Sequence, residues 1–458
     1  MNAYDLKPTF ENLFDTYKKD VIGRNHDIFL FTEILDSVED GCSIALDGNW
    51  GSGKTFFVKQ AKMILDAHNT IIKHGEDDKS EEIIALRNRY YGEKNFDLQP
   101  QVCVYYDAWE NDNDEDPVIS LVYAILNSVN TDFSFKDTNF FKTGASIMEV
   151  FSGRSWTALI DNLKGSSPLD ALKKHKDVDS LVSEFLNSLI PEKGNRLVVF
   201  IDELDRCKPS YAVRLLERIK HYFSHDKITF VFSVNINELQ HTIRKHYGDD
   251  FNGSRYLDRF FDLRVTLPPP NLQNFFLSLN FNDSHYTFDI VCGAVIKAFH
   301  LELREIAKYL RLTKIAAYAP THDSSYRFSF SEGNALQFCL LYVIPIMFGV
   351  KLTDSKRYAD FIEGNDHTPL IEIANMLRIR MFDDLLNRNE TFDAQRTDLT
   401  VVTIEEKLKA VYDALFVTAY DSGVYAVKIG EMQFNAGTKD ILLRITGLLS
   451  QYTKVDVD

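Results

Sequence analysis

Gly48-Asn49-Trp50-Gly51-Ser52-Gly53-Lys54-Thr55 is the stretch that decides the fold. Ser43–Asp47 before it is a short apolar run of the strand type, and Thr55–Leu65 after it carries Phe57, Val58, Ala61 and Ile64 on one helical face. A strand that passes through glycines into a helix beginning Lys-Thr is the arrangement G-x-x-x-x-G-K-[ST]. The glycines let the backbone curl until its N–H groups converge on phosphate oxygens. The helix N-terminus adds partial positive charge beneath them. Lys54 is a mobile cation for the outer phosphates, and the Thr55 hydroxyl suits magnesium. All eight residues are therefore candidate ATP-binding residues, with Lys54 also a catalytic candidate and Thr55 a metal ligand. Trp50 either covers the nucleotide or packs on a neighbouring loop.

A second signal lies downstream. Leu197–Ile201 is an unbroken apolar run, the mark of a strand covered on both faces, and it ends in Asp202 and Glu203. Open α/β sheets hold ligands at that edge. Asp202 there can hold Mg2+, while Glu203 can orient and deprotonate the attacking water. Val102–Tyr106, Ile228–Val234 and Leu263–Leu267 supply further strands. Amphipathic helices separate them, including Val118–Val129 and Ala212–Phe223, so a wound parallel sheet is expected.

Several polar residues are candidates with two readings each. Asn235, at the end of Ile228–Val234, either touches the γ-phosphate or attacking water or simply initiates the next helix. Arg255 and Arg259 either reach a neighbouring subunit's nucleotide or pair with Asp258 or Asp262. Arg304, Lys308 and Arg311 share one helical face, which is either a solvated stripe or a surface from which Arg304 reaches the nucleotide. Arg206 is placed to pair with Asp205 or a partner subunit, and Arg214 and Arg218 read as solvated. Ile22-Gly23-Arg24 is positioned to flank the base.

Composition limits the alternatives. A net charge of −16 argues against a chain-wide basic coat for nucleic acid or anionic membrane. Cys42, Cys103, Cys207, Cys292 and Cys339 are odd in number and lack zinc-ligand spacing, which suits reduced thiols in a cytoplasmic protein. No secretory signal opens the chain. The longest apolar stretch, Ala335–Val350, is shorter than the roughly 20 residues that span a bilayer and reads as a buried helix kinked at Pro345. Residues 67–100 read as charged surface and 131–168 as an insertion, with a helix around Val178–Leu189. From Asn271 the chain reads as mostly helical.

The P-loop with its tryptophan, Asp107-Ala108-Trp109, Asp202-Glu203-Leu204-Asp205-Arg206-Cys207, Tyr256–Phe261 and Leu303–Ile306 together resemble the KAP family of P-loop NTPases over roughly residues 15–315. The resemblance implies an additional-strand α/β fold related to AAA+ and STAND proteins, with sheet order 5-1-4-3-2 and a following helical lid. Domains are accordingly expected at 1–270 for the core, 271–315 for the lid and 316–458 for a helical accessory region. Many members insert membrane helices before the acidic-pair strand, and 131–168 holds no such run. Glu203 stands where a second aspartate is frequent, and Asn235 where an aspartate is common. The implied activity is Mg-dependent ATP hydrolysis driving a conformational switch, with a role in bacterial antiphage defence. A non-hydrolysing ATP-bound scaffold and a nucleic-acid-stimulated ATPase are the alternatives. A protein partner or homo-oligomer is expected, without a membrane span.

Overall fold

The computed structural model describes residues 7–69, 79–91, 97–114, 116–130, 143, 145–147, 184–185, 194–223, 225–283, 287–318, 335, 338–377, 403–420, 425–429 and 432–447. The insertion at 131–168 and the helix expected around Val178–Leu189 fall largely outside them. The chain divides into two compact units, Leu6–Phe275 and a second that begins at Phe276.

The first unit is built on five parallel strands: β1 (Cys42–Asp47), β2 (Gln101–Asp107), β3 (Arg196–Asp202), β4 (Ile228–Val234) and β5 (Leu263–Thr266). They lie in the order β2-β3-β4-β1-β5, which is the expected 5-1-4-3-2 seen from the other edge. The alternation of side chains across each strand fills two cores. Val198 and Phe200 of β3 enter one, together with Phe14, Leu35, Phe57, Ile64 and Ile83. These come from α1 (Phe10–Lys18), α2 (Asn25–Ser37), α3 (Lys54–His68) and α4 (Ser80–Tyr91). Leu197, Val199 and Ile201 enter the other, against Leu121, Leu216 and Leu239. Those belong to α5 (Pro117–Asn130), α6 (Pro209–Tyr222) and α7 (Ile236–Tyr247). All seven residues of β3 are buried, which explains its unbroken apolar run.

Both β2 and β3 run one residue beyond the apolar stretch, so that Asp107 and Asp202 are terminal strand residues facing each other in register. Asp202 also lies level with Ser233 of β4, and Ser233 with Leu46 of β1. The carboxyl ends of four strands thus form one edge, with β4 between the P-loop strand and the acidic strand.

Residues 67–100 are not simply surface decoration. They contain α4, whose Ile83 is buried and whose Arg87 is 0% exposed and paired with Glu33 at 3.2 Å. The apolar positions Ile83, Ile84 and Leu86 were present among the charges, too sparse to stand out against them.

A short α8 (Gly253–Leu257) precedes β5, and α9 (Leu272–Ser278) crosses the division between units. The second unit contains α10 (Thr287–Ala298), α11 (Leu303–Thr313), α12 (Ile344–Thr353), α13 (Ser355–Ile362), α14 (Thr368–Met376), α15 (Ile404–Tyr412) and α16 (Ala436–Gly447). The described residues of the apolar stretch are buried, as expected, except the partly buried Leu341. Its irregularity is a π-helical turn, Cys339–Val343, ahead of Pro345 in the first turn of α12, rather than a kink within one α-helix. Proline cannot donate a backbone hydrogen bond and crowds the preceding turn, and a wider turn relieves that crowding. No described helix is long and apolar enough to cross a membrane. The helical expectation missed an antiparallel pair, β6 (Val427–Ile429) and β7 (Met432–Phe434). Three-residue strands are too short for their alternation to be recognised.

Candidate functional site

The buried residues Ile44, Ala45 and Leu46 carry β1 into the P-loop. Gly51 and Gly53 have φ of 83° and 95°, in the left-handed region that glycine enters without penalty. The ammonium of Lys54 donates to Gly48 O at 2.6 Å and Asn49 O at 3.1 Å, so the loop is tied across its own mouth. Among the described residues, the N–H groups of Gly51, Gly53, Lys54 and Thr55 donate to no backbone or side-chain acceptor. Unmatched donors gathered at a helix N-terminus attract an anion. Burial lowers the Lys54 pKa, and Asp205, Asp202 and Glu203 work against that shift.

Arg24 holds this loop by a backbone carbonyl. It is 3% exposed, and its Nη1 donates to Ser52 O at 2.7 Å. Arg24, Ile22, Gly53 and Phe57 are among the residues lining a small, partly open cavity, so the segment expected to flank a base does adjoin the P-loop.

Asp202 is 1% exposed. Its Oδ2 accepts from Thr55 Oγ1 at 2.7 Å and from the Tyr105 hydroxyl at 2.9 Å. Its Oδ1 accepts from the N–H of Glu203 at 3.0 Å. Glu203 itself has a φ of 60°, an uncommon conformation for a residue with a side chain, and leads into a 3-10 turn, Leu204–Arg206. Its Oε2 lies 2.6 Å from Arg206 Nε. The N–H is not directed at that oxygen, which is buried without a hydrogen bond, so the contact is ionic. Burial pushes the Glu203 carboxyl up, and Arg206 pulls it partly back.

The turn makes two further contacts. Asp205 Oδ2 accepts from Trp50 Nε1 at 2.5 Å. Burial raises the Asp205 pKa, and the Trp50 bond opposes the rise. The Arg206 guanidinium lies 5.8 Å from the Trp50 ring centroid and 5.6 Å from that of Trp109. Trp50 therefore packs on a neighbouring loop, and Arg206 pairs with Glu203 rather than Asp205.

The remaining candidates disperse. Asn235 lies at the same sheet edge, where its Oδ1 accepts from Asn237 N and Glu238 N at 3.1 and 3.3 Å and caps α7. The helix-initiating reading therefore describes its oxygen. Arg255 and Arg259 are exposed, and neither forms an ion pair among the described residues. The expected carboxylates are otherwise engaged: Asp258 pairs with Arg264, and Asp262 accepts from Ser43 N at 2.8 Å. Arg304, Lys308 and Arg311 are exposed along α11 in the second unit. Arg218 is not merely solvated, since it pairs with Asp116 at 3.1 Å. The five cysteines are free, and no cluster of three or more His, Cys, Asp or Glu suited to a metal occurs among the described residues.

Magnesium does not need such a cluster. It binds through one or two carboxylates, completing its octahedron with substrate phosphates and water. Thr55 and Asp202 bring one hydroxyl and one carboxylate oxygen together beside the donor-lined loop, and this oxygen set fits that hard cation. Sequence reasoning missed Tyr105, Asp205 and Trp109 as members of the site. Tyr105 faces it because the strand alternates, a signal that was available within Gln101–Asp107.

An uncharacterized protein of Methanocaldococcus jannaschii is 32% identical over 84 residues, 18% of this chain and 43% of that relative, so the match spans less than half the relative's length. Among solved structures, the Aeropyrum pernix ORC2 protein, in ADPNP-ADP complexes, is similar at 14% identity and a TM-score of 0.32. That similarity covers 77% of this chain and 85% of the other. The model of the KAP family P-loop domain matches residues 24–285. That match takes in every strand of the parallel sheet together with the P-loop and the acidic pair, and with more than half of its length so matched the chain belongs to the KAP family of P-loop NTPases.

Proposed function

We propose that this protein binds and hydrolyses Mg-ATP and uses the cycle as a conformational switch. The observation that carries the proposal is the P-loop's set of N–H groups without acceptors, closed over by an ammonium that bonds only to loop carbonyls. In this reading the loop N–H groups take phosphate oxygens, and Lys54 exchanges its carbonyls for the outer phosphates. Thr55 and Asp202 would hold magnesium, which when bound neutralises charge on the transferring phosphoryl group. Tyr105 fixes the Asp202 oxygen that Thr55 also uses. Glu203 orients water through the oxygen not facing Arg206 and accepts its proton. The sequence has no guanine-selecting N-K-x-D motif, which favours adenine. Freeing Lys54 from its carbonyls when phosphate arrives gives the loop two states, the minimum a switch requires. A place in antiphage defence follows only from the family resemblance.

Phosphate release from the full chain with Mg-ATP tests this, beside Lys54→Ala and Glu203→Gln. Turnover is expected to fall about 100-fold or more in Glu203→Gln with ATP binding retained, and Lys54→Ala should weaken binding itself. Unchanged turnover in Glu203→Gln refutes the assigned base. Tight binding without turnover in the wild type would replace hydrolysis with a scaffold role.

A further inference from the structure

We propose that Arg206 is a positioning residue for Glu203, held between Trp50 and Trp109 so that one carboxylate oxygen is fixed and the other is presented to water. The inference rests on the hydrolytic reading above and extends it to residues outside the P-loop and acidic pair.

Three loops leave the carboxyl edge of the sheet from β1, β2 and β3, and each contributes one wall. Trp50 comes from the P-loop, Trp109 follows β2, and Arg206 closes the 3-10 turn after β3. The guanidinium lies within 6 Å of both ring centroids, where a ring quadrupole attracts a cation. Both indoles are about half exposed, at 45% and 52%, so apolar packing alone does not explain their position. The charge between them restrains them, and they restrain it.

Arg206 in turn faces Glu203 Oε2, which is buried and receives no directed hydrogen bond. A flexible glutamate side chain samples many rotamers, and a general base loses efficiency when its reactive oxygen wanders. An ion pair at 2.6 Å to the inner oxygen removes much of that freedom while leaving Oε1 available. The left-handed φ of Glu203 and the hydrogen bond from its N–H to Asp202 Oδ1 fix the backbone from which the side chain springs. The bond from Trp50 Nε1 to buried Asp205 ties this turn to the P-loop, so the position of the base depends on the conformation of the phosphate-binding loop.

The test is steady-state turnover and ATP affinity for Glu203→Gln, Arg206→Gln, Arg206→Lys, Trp109→Phe and the Glu203→Gln/Arg206→Gln double variant, each in the full chain. Arg206→Gln is expected to lower kcat about 10-fold or more with KM and ATP affinity nearly unchanged. Arg206→Lys should recover part of the loss. Trp109→Phe, which keeps an aromatic face, should fold normally and lose severalfold. The double variant should be no slower than Glu203→Gln alone, because the two residues act as one unit. Losses that multiply in the double variant, or an Arg206→Gln effect confined to KM, overturn the proposal. Failure of the hydrolytic reading looks different: the wild type itself is then silent, whereas failure of this inference alone leaves the wild type active, Glu203→Gln inactive and Arg206→Gln active.

Discussion

Replacing Arg24 with methionine should weaken ATP binding without touching any residue that lines the phosphate cradle. The carbonyl of Ser52 and the N–H of Gly53 belong to one peptide unit, which is trans, so the two groups point in opposite directions. Arg24 Nη1 holds the carbonyl at 2.7 Å and thereby fixes the N–H on the opposite side of the peptide. Because Arg24 is 3% exposed, water does not readily replace the bond. A hydrogen bond to a charged group contributes about 1.5–3 kcal/mol. If that restraint is lost and the Gly53 peptide rotates freely, the same energy is missing when phosphate binds. At about 1.4 kcal/mol per tenfold, the ATP Kd should rise roughly 10- to 100-fold. Isothermal titration of Arg24→Met and Arg24→Lys against the wild type measures this, the lysine variant falling between the two. Thermal unfolding run in parallel separates loop effects from general loss of stability. A melting temperature that drops while the ATP Kd stays within about threefold of wild type would refute the reasoning, since Arg24 would then serve packing only.

Other perturbations test other links. Asn235→Ala should cost about 1 kcal/mol through loss of the α7 cap, whereas Asn235→Asp keeps the acceptor and the melting temperature. Lost turnover in the aspartate variant at unchanged stability would restore a nucleotide-sensing role for the side-chain amide. Gly349→Ala sets two effects against each other. Helix propensity favours alanine by about 1 kcal/mol, but its Cβ would lie 2.4 Å from Val295 Cγ1 and 2.8 Å from the Phe299 ring, and overpacking costs about 1–3 kcal/mol. The melting temperature should fall, and a rise would show that α10 and α12 can part more easily than their packing implies. Asp289 has its carboxyl raised to about 6, chiefly by burial, with Asp283 adding and Lys314 opposing. Its folded form holds the proton more tightly than the unfolded form, so the stability it contributes below its ordinary value of 3.8 is lost as pH rises to about 6. Asp289→Asn should therefore raise the melting temperature above pH 6 and leave it unchanged in strong acid, as calorimetry across that range would show.

The parts legible in the sequence are those whose physics is local. The P-loop works through closely spaced glycines and a helix start, and β3 announced itself by a run of residues buried on both faces. The order of the strands came from resemblance, because nothing in the periodicity of Ile228–Val234 says that it lies between β1 and β3. What escaped was non-local or sparse. Arg24 meets Ser52 across 28 positions and Trp50 meets Asp205 across 155. Arg87 is a buried charge inside a segment whose composition reads as solvent-facing. For Arg206 the sequence suggests Asp205 or another subunit and offers no sign of the partner it meets within the chain, Glu203. The buried Asp205 carboxylate is already taken by the Trp50 indole, and a sequence does not record which of two adjacent acids another loop has claimed.

The two halves of the site differ in how they are made, and that difference should be visible in function. The phosphate half consists of backbone N–H groups, an ammonium and a carbonyl clamp from Arg24. Damage to it should appear in affinity, with little change in the chemistry of nucleotide that does bind. The acidic half consists of side chains held by other side chains: Tyr105 on Asp202, Arg206 on Glu203, and two tryptophans on Arg206. Damage there should appear in kcat. Two residues belong to both: Thr55, through its N–H and its bond to Asp202, and Trp50, whose backbone lies in the loop while its indole bonds to Asp205. Trp50→Phe keeps a ring against Arg206 but removes the indole N–H. Its effect should therefore be shared between affinity and turnover. If Trp50→Phe changes only one of them, the P-loop and the turn after β3 respond to nucleotide independently.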